Sequence, residues 1–346
     1  MNRVILVLGL VSSLLFGGGY ASAGELPEWI QRTRISGLMF GDAYWVARNH
    51  DDAIEGENGF WFRRIYLTFD SKVNDQWALR LRFEANSPGD FSSDEIDPFV
   101  KDAYLKGNIG GQTLYLGLSS SPTWSLVEKS WGYRAVEKTP LDLQKLGSSR
   151  DFGVALKGSF GGNGKFRYHG MLGNGSGTKG EANEGKKAML AISFHPTKKY
   201  QVEVYGDFEN RPGETNRRTV QFFGSYAGKN HRFGVQVARQ NRETAGGEDL
   251  DLDLASVYAV FRLREKINLL ARLDKMFDPN PDGDGISYIP FDSTADSTLA
   301  LLGIDLALGE KVNLIPSIEA VSYDSDSGTP TPDDDLIARV TFFVRF

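Results

Sequence analysis

Trp77-Ala78-Leu79-Arg80-Leu81-Arg82-Phe83-Glu84 decides the fold. Apolar side chains stand at 77, 79, 81 and 83, and Arg80, Arg82 and Glu84 stand between them. An extended chain sends successive side chains to opposite faces, so this segment is a strand with one hydrocarbon face and one charged face. The same period of two returns in Val202, Val204 and Phe208 against Glu203 and Asp207. It closes the chain in Leu336, Ala338, Val340, Phe342, Val344 and Phe346 against Arg339, Thr341 and Arg345.

A soluble sandwich would turn the apolar face inward, and a membrane barrel would turn it toward lipid. Strand length separates the two, because soluble strands run to about 5–6 residues and membrane-spanning ones to about 9–11. The runs Arg218–Gly228, His231–Arg242, Ile267–Asp278 and Val312–Tyr323 are of the long kind. Short connections such as 73–75, 228–230 and 309–311 alternate with long polar ones such as 278–297 and 324–335. That asymmetry belongs to periplasmic turns and extracellular loops. The alternation places strands at 33–46, 59–72, 76–87, 97–108, 111–119, 150–160, 164–174, 186–195, 200–209, 218–228, 231–242, 252–263, 267–277, 297–308, 312–323 and 336–346. The expected fold is therefore all-β, a 16-stranded antiparallel transmembrane β-barrel wide enough for a water-filled channel.

The chain has 346 residues, no cysteine and a formal charge of −6, which excludes a disulfide framework and argues against nucleic acid as a partner. Arg3, the apolar run Val4–Leu15 and Ala21-Ser22-Ala23 read as a secretory signal at 1–23, leaving 24–346 as the barrel. No later segment offers the roughly 18 apolar residues of a membrane helix. The export signal and the barrel together place the protein in a Gram-negative outer membrane, among lipid and lipopolysaccharide. Trp45, Phe60, Trp61, Trp77, Tyr200 and Tyr323 fall near strand ends, where interfacial girdles lie. Phe346 closes the last strand, and a terminal aromatic of this kind resembles the assembly signal of outer-membrane barrels, read by the barrel-assembly machinery.

The longest connection, 120–149, carries Trp124, Leu126, Val127, Trp131, Tyr133, Leu141, Leu143 and Leu146. It is too apolar to stand in water, so this third loop is expected to fold into the lumen and constrict it, with an outward loop that covers the barrel mouth or makes a subunit contact as the alternative. The run Val100-Lys101-Asp102-Ala103-Tyr104-Leu105-Lys106, then Gly117-Leu118-Ser119, then Ser148-Ser149-Arg150-Asp151-Phe152-Gly153-Val154, resembles the phosphate-selective porin family, porins O and P. The resemblance covers about residues 59–160. It implies a homotrimeric outer-membrane channel whose third loop is the constriction and whose lumen attracts anions, phosphate among them.

Charges of inward parity are nearly balanced over the whole wall, and most read as a lattice of ion pairs. Arg64, Arg80 and Arg82 sit together on adjacent strands with no carboxylate among them except Glu84. With Lys106 on the next strand and Lys129, Arg134 and Lys138 of the third loop, they are the expected anion path. The stretches 243–253, 278–298 and 324–335 carry acidic charge alone. Asp278, Asn280, Asp282 and Asp284 follow the spacing of a calcium loop, with Gly283 beside them, but Ile289 replaces the closing Glu. A solvated acidic loop is the plainer reading, with Ca²⁺ or Mg²⁺ there as the alternative. The function expected is passive diffusion of small hydrophilic solutes with a preference for anions and no catalysis. A barrel hydrolase built on His50, His169, His195 or His231, and a structural or adhesive barrel with an occluded lumen, are the rivals.

Overall fold

The computed structural model describes residues 27–89, 91, 95–325 and 329–346, so the expected signal segment lies outside the described residues. A short helix, α1 (Glu28–Gln31), leads into the wall. The wall consists of β1 (Thr33–Arg48), β2 (Asn58–Lys72), β3 (Trp77–Asn86), β4 (Asp97–Ile109), β5 (Gln112–Ser120), β6 (Arg150–Phe160), β7 (Phe166–Gly173), β8 (Lys187–Phe194), β9 (Tyr200–Glu209), β10 (Arg217–Ala227), β11 (His231–Arg242), β12 (Leu250–Arg264), β13 (Ile267–Met276), β14 (Asp296–Ala307), β15 (Val312–Asp324) and β16 (Asp335–Arg345). Each pairs antiparallel with its chain neighbours, and β16 returns to β1, so the sheet is a closed 16-stranded barrel. Closure leaves no unpaired sheet edge. Each strand end lies within two residues of the place the alternation gave it.

The partition of side chains is that of a barrel in lipid. Leu79, Phe83, Val100, Phe152, Leu172, Val204, Val220, Val235, Val257, Leu302 and Ile318 are exposed on the outside. Asp42, Glu84, Asp102, Arg272, Glu319 and Arg339 are buried within. Trp45, Phe60 and Tyr200 stand on the outer face, Phe60 at 89 % exposure. Trp61 and Tyr323 do not join that girdle. Trp61 stacks on Tyr44 at 3.8 Å and gives its indole N–H to Asp42, and the Tyr323 hydroxyl donates to buried Asp335. Both face the lumen because inward carboxylates hold their polar ends.

Phe346 completes the closure. Its N–H and carbonyl pair with the carbonyl and N–H of Gly37. Its ring lies over that glycine so closely that a Cβ there would come within 2.2 Å of it. Gly37 is thus the seat of the terminal aromatic.

Two β-bulges decide which charges enter the lumen. Opposite β1, the register of β2 jumps between Arg64 and Phe62, so Arg63 is an extra residue and both arginines point inward. Opposite β3, β4 jumps between Asp102 and Val100, and Lys101 joins Asp102 inside. A bulge adds one residue to one strand and breaks the strict alternation there.

Candidate functional site: a charged passage beside two inward loops

The third long loop, L3 (121–149), runs down into the barrel. Its neck is closed by Ser121, whose hydroxyl donates to the Ser148 carbonyl and whose N–H donates to that of Ser149. Helix α2 (Ser125–Trp131) stops at Gly132, which takes the left-handed φ of +73° that an L side chain would resist. Helix α3 (Pro140–Leu143) starts on a proline, whose missing N–H costs nothing in a first turn. Between them the loop turns its apolar side to the wall. Trp124, Val127, Trp131, Tyr133, Val136, Leu141 and Leu146 form one core with Phe223, Leu252, Leu254, Tyr258, Leu270, Leu301 and Ile315 of β10–β15. Trp131 is 1 % exposed, with the rings of Tyr133 and Tyr258 edge-on at 5.6 and 5.2 Å.

Wall arginines hold the backbone of this loop. Arg232 donates to the Trp131 carbonyl at 2.8 Å, Arg63 to that of Val136, and Arg272 to that of Lys138. Glu137 lies between Arg63 at 3.0 Å and Arg339 at 3.2 Å, and Arg339 also meets Glu319 at 3.4 Å. Burial alone would raise the Glu137 pKa, but the two guanidiniums outweigh it and hold the carboxyl well below the usual range.

A second loop, L7 (277–295), lies on the same side. Ile286, Ile289, Phe291 and Ala295 pack with Val46, Leu299, Val321 and Ile337 of β1, β14, β15 and β16, and with Leu143 of L3. Tyr288 reaches β2, its hydroxyl donating to the carbonyls of Arg63 and Ser87, its own carbonyl accepting from Arg339. The expectation of a solvated outer loop at 278–298 is therefore corrected: its apolar residues bury themselves as those of L3 do. The four residues with calcium-loop spacing are engaged separately. Asp278 accepts the Asp253 N–H, the Asn280 amide donates to Gln144, Asp282 meets Arg242 at 2.8 Å, and Asp284 accepts from Ser293. No group of three or more acidic or histidine side chains converges on a metal-sized space among the described residues.

The two loops pack chiefly on the β10–β1 side and leave cavities above and below L3. A cavity of about 450 Å³ lies below L3, toward the short turns, and one of about 510 Å³ opens toward the long loops. Arg150 lines both. Around it the wall carries four cations on two carboxylates. Arg64 and Lys101 share Glu84, the latter at 3.0 Å, while Arg82, at 3.2 Å, and Arg150 share Asp102. Across the passage Arg134 stands between Glu128 at 3.6 Å and Asp142 at 3.3 Å. Lys138 is nearly buried beside them, and burial together with the nearby cations Arg134 and Arg64 pushes its ammonium down to about 8 against the pull of Asp142.

The structure thus sorts the expected anion path. Arg64, Arg82, Arg134 and Lys138 meet at the passage. Arg80 does not join them: the register sets it opposite Asp70, which takes it in two hydrogen bonds of 2.7 and 2.8 Å. The three arginines are therefore each matched by a carboxylate, contrary to the sequence expectation. Lys106 stands near that Asp70–Arg80 pair, toward the short turns. Lys129 is exposed on α2, where with Arg167 it adds to burial in lowering the pKa of His195. His195 Nε2 lies 3.0 Å from Ser193 Oγ, and His50 Nδ1 2.9 Å from Asp335. Lys101 and Arg150 of the passage, and Arg63 of the clamp on L3, are the residues that parity alone missed. The adjacent charged pairs Arg63-Arg64 and Lys101-Asp102 were the available signal, since strict alternation would drive one member of each into lipid.

No protein-family model and no curated protein matches the chain. Solved structures do. An anion-selective porin from Comamonas acidovorans superposes with a TM-score of 0.67 at 11 % identity, covering 91 % of this chain and 99 % of that one. OmpF of Salmonella typhi, in a complex with daunomycin, gives 0.66 at 12 % identity, with 91 % and 97 % covered. The trimer form of OmpT, an outer-membrane protein of Vibrio cholerae, gives 0.62 at 13 %, with 91 % and 99 % covered. At such identities the likeness is one of fold.

Proposed function

We propose that the chain is an outer-membrane channel for passive diffusion of small hydrophilic solutes and that it prefers anions, phosphate-type anions included. The observation that carries this is the passage wall, where Arg64, Arg82, Lys101 and Arg150 share only Glu84 and Asp102. Two of the four cations are thus in excess at a narrow point between low-dielectric walls, where a field is focused rather than screened. A passing anion gains partners among charges already held in place by the sheet, so no ordering is needed when it arrives.

The reading extends to export, assembly and oligomeric state. The leader at 1–23 exports the chain, the barrel-assembly machinery inserts it by its Phe346-ended strand, and the long loops face outward among lipopolysaccharide. The trimer form of the Vibrio cholerae protein, which shares this barrel, supports a homotrimer.

The test is the reversal potential of single channels in a planar bilayer under a salt gradient. The wild type should favour chloride over potassium. Replacing Arg64, Arg82 and Lys101 together by Gln should move the ratio toward cations, and more so at low salt, where the screening length is greater. A folded triple variant with an unchanged reversal potential would end the anion reading and leave a general diffusion pore.

A further inference from the structure

The cavity on the long-loop side has features the passage itself does not need. It is bounded by the end of L3, by the loop after β7 (174–186), and by the facing ends of β8, β9 and β10. Lys145, Lys179 and Arg217 line it, and none of the three makes an ion pair or side-chain hydrogen bond among the described residues. Lys187 and Arg211 also line it and share Glu209, at 3.3 and 3.5 Å, Lys187 meets Asp207 at 3.1 Å as well, and Asp151 is in the lining too. Five cations stand against three carboxylates, so the excess is positive before Arg150 is counted.

The loop over this cavity reads Gly173-Asn174-Gly175-Ser176-Gly177-Thr178-Lys179-Gly180. Gly175 and Gly177 hold φ of +81° and +66°. The N–H of Gly175 donates to Asp151 at 2.8 Å, which anchors the loop to β6. The loop is packed in place, because a Cβ on Gly177 would come within 2.8 Å of Ser148 Oγ. Asn174, Asn183 and Asn210 line the same space. A bare inorganic anion would fill little of about 510 Å³ and would leave these amides to water.

We propose that this vestibule is a separate binding site for hydroxylated organic oxyanions, of which sugar phosphates and hydroxylated polycarboxylates are the chemical class. The cations take the charged end, and the amides take the hydroxyls. Arg150, which borders both cavities, is the next cation such a solute meets on its way inward. The inference deepens the anion-channel reading and rests on it for the direction of travel.

Glucose 6-phosphate, citrate and inorganic phosphate, each added on the long-loop side, serve as probes of the chloride current. The two organic anions should interrupt it at concentrations at least about tenfold lower than inorganic phosphate, because each adds charge-assisted and hydroxyl contacts. Lys145→Gln, Lys179→Gln and Arg217→Gln together should abolish that advantage. Block by glucose 6-phosphate alone would narrow the class to phosphoesters, and by citrate alone to polycarboxylates. Equal block by inorganic phosphate, or an advantage that survives in the triple variant, would overturn the proposal. Titration calorimetry of glucose 6-phosphate and citrate with the folded protein in detergent separates the two readings. Binding lost in the triple variant supports the vestibule even where the reversal potential shows no anion preference, and absence of binding to the wild type refutes it even where that preference holds.

Discussion

The two inner walls that flank L3 are made of opposite materials. From β10 to β15 the inward side chains include Phe223, Leu252, Leu254, Leu270 and Leu301, which a water-filled lumen would leave wet. From β2 to β6 they include Arg64, Arg82, Lys101, Asp102 and Arg150. The loop enters at the β5–β6 junction, yet it crosses the lumen and lies down on the far, apolar side. The difference shows that the wall chooses where the loop lies. An apolar patch inside a polar lumen has only a loop to cover it, and the strip left uncovered becomes the passage.

The largest effect should come from the apolar side. Trp131→Ala removes the largest fully buried side chain of the seam and should cost about 3–5 kcal/mol, as large aromatic truncations in cores do. The barrel itself is held by its own ladder and should survive. The expected outcome is a folded, heat-modifiable protein with larger and noisier conductance and weaker ion selectivity. Conductance and noise equal to the wild type would show that L3 keeps its place without the seam.

Next comes the clamp at the loop's far end. Glu137→Ala leaves Arg63 and Arg339 buried with one fewer carboxylate, and breaking one side of a buried pair costs about 3–5 kcal/mol where no other partner can take over. Asp42, 3.6 Å from Arg63, and Glu319, 3.4 Å from Arg339, remain as partners, so the loss should fall below that of Trp131→Ala. Thermal melting of the unheated band on a gel measures it. A melting temperature lowered more by Glu137→Ala than by Trp131→Ala would reverse the ranking of the two sides.

The same contrast explains how much could be read from the chain. Strands such as Trp77–Asn86 were legible because only one face was apolar. The run Leu299–Leu308 was apolar on both parities, the pattern of a strand covered on both faces, and L3 and L7 are what cover it. L7 itself was hidden by its aspartates, which drew the eye from Ile286, Tyr288, Ile289 and Phe291. The argument that sent L3 inward applied to it equally. The bulges at Arg63 and Lys101 were legible in principle, because a basic residue facing the membrane midplane costs roughly 2–4 kcal/mol. What no sequence rule supplied was register. Arg80 is neutralised because Asp70 stands directly opposite it, and a shift of two residues would have freed it.

The smallest effect concerns a lysine of L3 that stands beside Arg134 at the passage. The Lys138 backbone is held in L3, its N–H donating to Glu137 and its carbonyl accepting from Arg272, and the residue is 7 % exposed. Its pKa is lowered to about 8, chiefly by burial. The charged form is therefore present below that value and lost above it, well before an ordinary lysine near 10.4 would lose its proton. Anion preference should accordingly fall modestly between pH 7 and pH 9, by the share of one charge among several. Lys138→Arg should lessen that fall, since a guanidinium stays protonated. Lys138→Gln should begin from a lower preference and also fall less than the wild type. A wild-type reversal potential that does not move over that range would place the Lys138 charge outside the ions' path, and the selectivity would then belong to the sheet wall alone.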